Sequence, residues 1–294
     1  MRKKLLVIAG GGVFGCIPAR FMCHPVVKPH LENISCYAGS SIGSVLASCY
    51  AAKVPPMQVM SFFLSHSHEV FPKRSWWQPP KIFGAKHDDK ALNKYLQRLL
   101  PGKFGDIYAP VFIPAYNIKK GDLYVFDNIK EGKDTYLDAW VPARASVSAP
   151  TYLPIYEWMA DGGLAENIPV LTALTGIHRR LGWDWKDIDV LAIGTGKRLH
   201  DKDYSLNSIN NWWTPACWLK KIIKWLTECN EAATVGWATT LAESGKIGSF
   251  QYYNPVVLEA NWDMDDSTKV TQAVRRAEPF MSEFGDIFKE WIEK

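Results

Sequence analysis

The sequence predicts a layered α/β fold, and three observations predict it. Short apolar runs of strand length alternate with longer runs of helical periodicity. A glycine cluster, Gly10-Gly11-Gly12-Val13-Phe14-Gly15, directly follows the first apolar run. A second glycine turn carrying serine, Gly39-Ser40-Ser41-Ile42-Gly43, separates a strand-like run from a helix-like one.

In chain order, residues 5–9 form the first expected strand and 34–38 the second. Residues 42–53, 57–65 and 90–100 have helical character. Residues 111–116 and 123–126 read as paired strands, because 117–121, with Lys119, Lys120 and Gly121, suits a hairpin turn. Residues 170–180 form a helix, 190–193 a strand, and 215–230 and 268–292 further helices. The last is expected to kink near Pro279, where the ring removes a backbone donor. The polar stretch 201–211 reads as a linker or loop.

Composition bounds the rest. The 294 residues are 47% hydrophobic, enough for a sizeable packed core. A net charge of +4 gives no electrostatic case for nucleic acid. The six cysteines, at 16, 23, 36, 49, 217 and 229, form no Cys-x-x-Cys pair and read as reduced core thiols. Arg2, Lys3 and Lys4 before an apolar run imitate a secretory leader, but glycines cut the run short, so it reads as a strand. No segment approaches the ~20 apolar residues of a membrane span. A cytoplasmic protein, peripheral at most to a membrane, is expected. One domain is expected over 1–294, with its core at about 4–200 and a Trp-rich, mostly helical extension at 201–294.

Ester hydrolysis needs a nucleophile, a proton acceptor and donors for the oxyanion. Ser41, on a glycine turn between strand and helix, has the setting of a nucleophile elbow, supported by Gly39 and Gly43. The competing reading is a serine that caps the following helix. Asp161, in Asp161-Gly162-Gly163, is the proposed base, against the alternative that Asp-Gly-Gly is only a turn. The loop Gly10, Gly11, Gly12 and Gly15 offers backbone N–H groups, since glycine lets a ligand approach closely.

The order of these blocks resembles the patatin-like phospholipases. The segment Ala145-Ser146-Val147-Ser148-Ala149-Pro150 is similar to the family's stretch before the aspartate. Asp161-Gly162-Gly163-Leu164-Ala165-Glu166-Asn167-Ile168-Pro169 resembles its aspartate block, and Leu191-Ala192-Ile193-Gly194-Thr195-Gly196 the strand and turn that follow. The resemblance covers about 4–200 and weakly 250–255. It implies a three-layer fold with a central, mostly parallel sheet flanked by helices. It further implies a lipid acyl hydrolase with a Ser41–Asp161 dyad, no histidine, metal or cofactor, and Gly11 and Gly12 as oxyanion donors. The implied partner is a membrane lipid or lipid aggregate. One departure stands out: many members carry Arg or Lys where this chain has Phe14.

Other readings were weighed on the residues. Gly10-x-Gly12-x-x-Gly15 after a strand also fits dinucleotide binding, with Glu32 as ribose carboxylate, but leaves the serine and aspartate blocks unexplained. Gly194-Thr195-Gly196-Lys197 fails as a phosphate loop, having Leu191 where Gly is needed and Arg198 where Ser or Thr is needed. A Ser-His-Asp hydrolase would need His178 or His200. His66 and His68 lack companion metal ligands, and Asp263-Met264-Asp265-Asp266-Ser267 lacks the Gly and Glu of a calcium loop. A catalytically silent member of the same fold, acting as a scaffold, is the remaining alternative.

Of thirteen tryptophans, six fall in two clusters. Trp212, Trp213, Trp218 and Trp225 with Lys220, Lys221 and Lys224 suit a helix lying at a lipid interface, against the alternative of a helix packed on the core. Residues 75–83, with Trp76, Trp77, Pro79 and Pro80, read as a mobile lip over the site.

Overall fold

The computed structural model describes residues 2–73, 84–198 and 215–294, without the side chains of 215–221 and 223. In chain order its strands are β1 (Lys3–Ile8), β2 (Cys36–Gly39), β3 (Val111–Asn117), β4 (Asp122–Asp127), β5 (Met159–Ala160), β6 (Ile188–Ile193), β7 (Lys197–Arg198), β8 (Ser249–Tyr253) and β9 (Val256–Leu258). Its helices are α1 (Cys16–Met22), α2 (Ile42–Ala51), α3 (Pro56–Val70), α4 (Lys90–Leu99), α5 (Trp140–Ser146), α6 (Val170–Leu181), α7 (Pro215–Glu243), α8 (Val270–Ala277) and α9 (Met281–Glu293).

The main sheet runs β4-β3-β2-β1-β6-β8, with β5 also paired to β3. All neighbours from β3 to β8 are parallel, while β4 and β5 run antiparallel to β3. β1 lies at the centre, Leu5 facing Cys36 on one side and Val190 on the other. Successive side chains of β1 leave on opposite faces, as the strand period demands. Leu6 and Ile8 join a core with Val45 and Leu46 of α2, Phe63 of α3 and Phe284 of α9. Leu5 and Val7 join a second core with Ala173, Leu174 and Ile177 of α6 and Ala238 of α7. Helices therefore cover both faces, giving the three layers expected.

The parallel order places the carboxyl ends of β1, β2 and β6 side by side, where open α/β sheets hold their ligands. The Gly10–Gly15 loop leaves β1, the Ser41 turn leaves β2, and the Gly194-Thr195-Gly196 turn leaves β6. α2 starts at the second of these, and all ten of its residues are buried, so it runs through the molecule's interior.

Several boundaries differ from the sequence reading. α3 continues to Val70 because Ser67 and Val70 extend its buried stripe past polar Ser65 and His66. α7 continues to Glu243 rather than stopping at 230, since Ala238 packs under the sheet. The expected kink is a 3₁₀ turn, Glu278–Phe280, between α8 and α9. The C-terminal part reaches deep into the structure: β8 joins the main sheet, Phe284 stacks on Phe21 at 4.8 Å, and the Trp291 carbonyl accepts from Lys4 Nζ at 2.6 Å. Burial pushes the Cys49 thiol up to about 12 and those of Cys16 and Cys36 higher, which makes them inert core groups.

Candidate active site

β2 ends at Gly39, and Ser41 then takes φ 51°, ψ −129°, before α2 begins at Ile42. A left-handed φ on a non-glycine residue costs about 1–3 kcal/mol, so the surroundings must impose it. They do so through two glycines. A Cβ on Gly39 would lie 2.0 Å from the Gly43 carbonyl oxygen, and one on Gly43 would lie 2.1 Å from that of Ile8. The Ser41 N–H donates to Ser146 Oγ at 3.0 Å, and Ser146 Oγ donates to the Pro114 carbonyl at 2.7 Å. Ser41 occupies the capping position of α2, yet its hydroxyl makes no capping bond. Instead Oγ donates to Asp161 Oδ2 at 2.6 Å. The capping reading of this serine is thereby excluded.

Asp161 follows β5 and opens a 3₁₀ turn, Gly162–Leu164. Its Oδ1 accepts from the Gly163 N–H at 2.7 Å, leaving Oδ2 for Ser41. Gly162 is required where it stands, because a Cβ there would lie 2.3 Å from the Pro114 carbonyl oxygen. Burial pushes the Asp161 carboxyl up to about 6, and the hydrogen bonds from Ser41 and Gly163 pull it back only in part. The group is thus ionised at neutral pH but is about a hundredfold better as a base than an ordinary aspartate.

The glycine loop crosses above this pair, and its residues do different things. The Gly10 N–H donates to the Asn167 carbonyl at 3.1 Å, so it is already committed and drops out of the expected set of donors. Gly15 is buried and makes room for Ile42, which a Cβ would meet at 2.6 Å, so its part is packing. The amides of Gly11 and Gly12 have no acceptor among the described residues. Gly12 has φ +60° and lies against the Met264 carbonyl, which also accepts the Val13 N–H at 2.8 Å. Phe14 is buried, stacks on Trp262 at 6.0 Å and lines the larger of the two cavities beside the loop.

A network that sequence reasoning missed holds both loops. Glu231 of α7 accepts from Asn167 Nδ2 at 3.0 Å through Oε2, and from Tyr252 and Asn254 through Oε1. Asn254 Oδ1 accepts the Gly196 N–H at 2.8 Å, and Thr195 Oγ1 donates to the Gly10 carbonyl at 2.9 Å. The neighbouring Asn230 accepts the Asn167 N–H at 2.9 Å and donates to the Ala165 carbonyl at 2.8 Å. Asn167 was visible in the aspartate block, but nothing in the sequence marked Glu231 or Asn230.

Two cavities flank the glycine loop. One, of about 50 Å³, touches Gly12 and Ser41 and is walled by Phe62, Phe63, Val70 and Leu153. The other, of about 830 Å³, touches Gly10, Gly11 and Asn167 and is lined by Lys197, Arg198, Lys224 and Trp225. Lys224 and Trp225 thus both line this cavity. Trp212, Trp213, His200 and the lip at 75–83 lie outside the described residues, as do the side chains of Trp218, Lys220 and Lys221. His178 is exposed on α6 and bonds to the Trp183 carbonyl, and Glu32 pairs with Lys53 at 3.2 Å. No group of three or more potential metal ligands occurs among the described residues.

The sequence model of the family described as patatin-like phospholipase matches residues 6–174. Curated relatives include a cGAMP-activated phospholipase of Pseudomonas aeruginosa, 28% identical over 207 residues, covering 65% of this chain and 62% of its own. A cGAMP-activated phospholipase of Escherichia coli is 28% identical over 239 residues, covering 70% and 64%. Patatin-like protein 1 of Oryza sativa subsp. indica is 23% identical over 277 residues, covering 76% and 64%. The chain therefore spans a little under two thirds of the length of these relatives. Among solved structures, VipD of Legionella pneumophila shares the fold, with a TM-score of 0.50 and 14% identity over 97% of this chain and 67% of that one.

Proposed function

We infer that this chain, which belongs to the patatin-like phospholipase family, is a lipid acyl hydrolase that works by two-step acyl transfer. The observation that carries the reading is the 2.6 Å bond from Ser41 Oγ to Asp161 Oδ2, made by a serine held in a strained turn to a buried carboxylate. Ser41 Oγ attacks the ester carbonyl carbon while its proton passes to Oδ2 of Asp161. The free amides of Gly11 and Gly12 donate to the oxyanion that forms. The positive end of α2, which begins at Ile42, favours the same negative charge. Asp161 then returns the proton to the leaving alcohol. In the second step it takes a proton from water as the water oxygen attacks the acyl carbon. It then returns that proton to Ser41 Oγ as the bond from Oγ to the acyl carbon breaks and the fatty acid leaves. The apolar cavity beside Ser41 suits the first carbons of the acyl chain.

A fluorophosphonate probe, which reacts with activated serines, is expected to give a single adduct, and peptide mass spectrometry is expected to find it on Ser41. A catalytically silent scaffold would stay unlabelled, and that result would overturn the hydrolase reading.

The lipid surface is proposed to meet α7, as its basic and aromatic sequence suggests. Among the described side chains of this helix, the large apolar ones that are exposed are Ile222, Leu226 and Trp237, at 41%, 60% and 58% exposure, and they recur on one side of the helix. No helix among the described residues is long and apolar enough to cross a membrane. In vesicle sedimentation, changing these three residues to Ser is expected to lower the bound fraction severalfold. Unchanged binding would remove α7 from the interface.

A further inference from the structure

The larger cavity beside the glycine loop carries an excess of basic groups for which the described residues supply too few partners. It holds about 830 Å³, within the range of small-ligand sites. Three cations line it, Lys197 and Arg198 from β7 and Lys224 from α7, together with the carboxylates Glu228 and Glu231. Glu231 is occupied by Asn167, Tyr252 and Asn254. Glu228 is half-exposed and sits 3.9 Å from Lys224, at the limit of an ion pair. Neither carboxylate pairs with Lys197 or Arg198. The clearest sign is Arg198 Nε, which is buried and has no hydrogen-bond partner. A buried donor left unpaired is costly, and more so when it is charged, so such a group calls for an anion.

We propose that Lys197, Arg198 and Lys224 form a subsite for a phosphate ester on the open side of the glycine loop. A guanidinium with a nearby ammonium pair matches phosphate in charge and in hydrogen-bond geometry. The free Gly11 amide lines the same cavity. The placement also suits a glycerophospholipid, whose phosphate lies only a few bonds from an acyl ester. With that ester at Ser41, the first carbons of the acyl chain take the apolar cavity on one side of the loop and the headgroup takes the basic cavity on the other. Arg198 stands close enough to Tyr152 for its charge to act on the phenol, and Tyr152 lines the apolar cavity beside Ser41. This placing of the headgroup rests on the hydrolase reading above, whereas the phosphate subsite itself does not.

The test has two arms, each comparing wild type with Lys197→Gln/Arg198→Gln and, on a separate element, Lys224→Gln. In the first, phosphatidylcholine and diacylglycerol with the same acyl chains are presented in the same neutral detergent micelles. The ratio of kcat/KM for phosphatidylcholine over diacylglycerol is expected to fall about tenfold or more in the double variant and in the same direction in Lys224→Gln. In the second, binding of soluble glycerophosphocholine and of inorganic phosphate is measured by calorimetry and is expected to weaken in both variants. A change in the first arm identifies the lipid headgroup as the occupant. A change in the second arm alone supports the subsite with a free phosphate ester as its ligand. No difference in either arm, with melting temperatures unchanged, overturns the proposal. A wild type that hydrolyses neither lipid yet binds glycerophosphocholine through these residues refutes the hydrolase reading and leaves the subsite standing.

Discussion

Replacing Asp161 with Asn is expected to lower kcat on a fluorogenic acyl ester by about 10³-fold or more while the melting temperature stays level or rises. The loss follows because, among the described residues, no other carboxylate or imidazole bonds to Ser41 Oγ. The stability result follows from the direction of the titration. Burial raises the Asp161 carboxyl from 3.8 to about 6, so between those values the folded chain holds a proton that the unfolded chain has released. Stability therefore increases as pH falls through that window, and at neutral pH the buried charge costs about 3 kcal/mol. Asparagine removes the charge, and its amide can still accept from Gly163 and donate to Ser41. In the wild type, kcat/KM is expected to climb with pH up to about 6 and then level, as the base loses its proton. Near-normal turnover in Asp161→Asn, or a flat profile from weakly acid to neutral pH, would sink this account.

Gly43→Ala is expected to have the opposite signature, losing stability first and activity as a result. The new Cβ would lie 2.1 Å from the Ile8 carbonyl oxygen and 2.7 Å from that of Ala9. Both atoms belong to the backbone of β1 and its continuation, so no side chain can rotate out of the way. A cost of about 3 kcal/mol or more is expected, lowering the melting point by roughly 6–10 °C. Gly236→Ala provides the control. Gly236 lies within α7, and a Cβ there meets nothing within 4 Å. Its replacement is expected to stabilise the chain by up to about 1 kcal/mol. Equal melting points for the two variants, measured by differential scanning calorimetry, would contradict the packing argument for the turn.

The parts legible in the sequence were those with local causes. The apolar run of β1, the hairpin turn before Gly121 and the kink at Pro279 each follow from neighbours in the chain. The glycines of the Ser41 turn were legible for the same reason, since a tight strand-to-helix turn needs them in that order. α1 was not read from the sequence; it carries Pro18 in its first turn, where the proline lacks only a donor that would be unpaired anyway. The committed Gly10 amide could not be foreseen, because its acceptor, the Asn167 carbonyl, is distant in sequence. The same holds for Glu231, whose partners at 167, 252 and 254 come together only once the sheet has formed. The aromatic-basic helix shows the limit of pattern reading. Composition suggested a surface role for Lys224 and Trp225, while the fold turns both toward a cavity.

The recognisable motifs and the machinery that aligns them have different boundaries. A chain cut after residue 200 would retain the nucleophile, the carboxylate and every glycine of the signature. It would also strip Asn167 of the acceptors that Asn230 and Glu231 provide and would take away the outer strand beside β6. The contacts that hold Asn167 beside the Gly10 loop thus come from a segment that bears no signature of its own, and the folded unit around Ser41 and Asp161 extends well beyond the last recognisable motif.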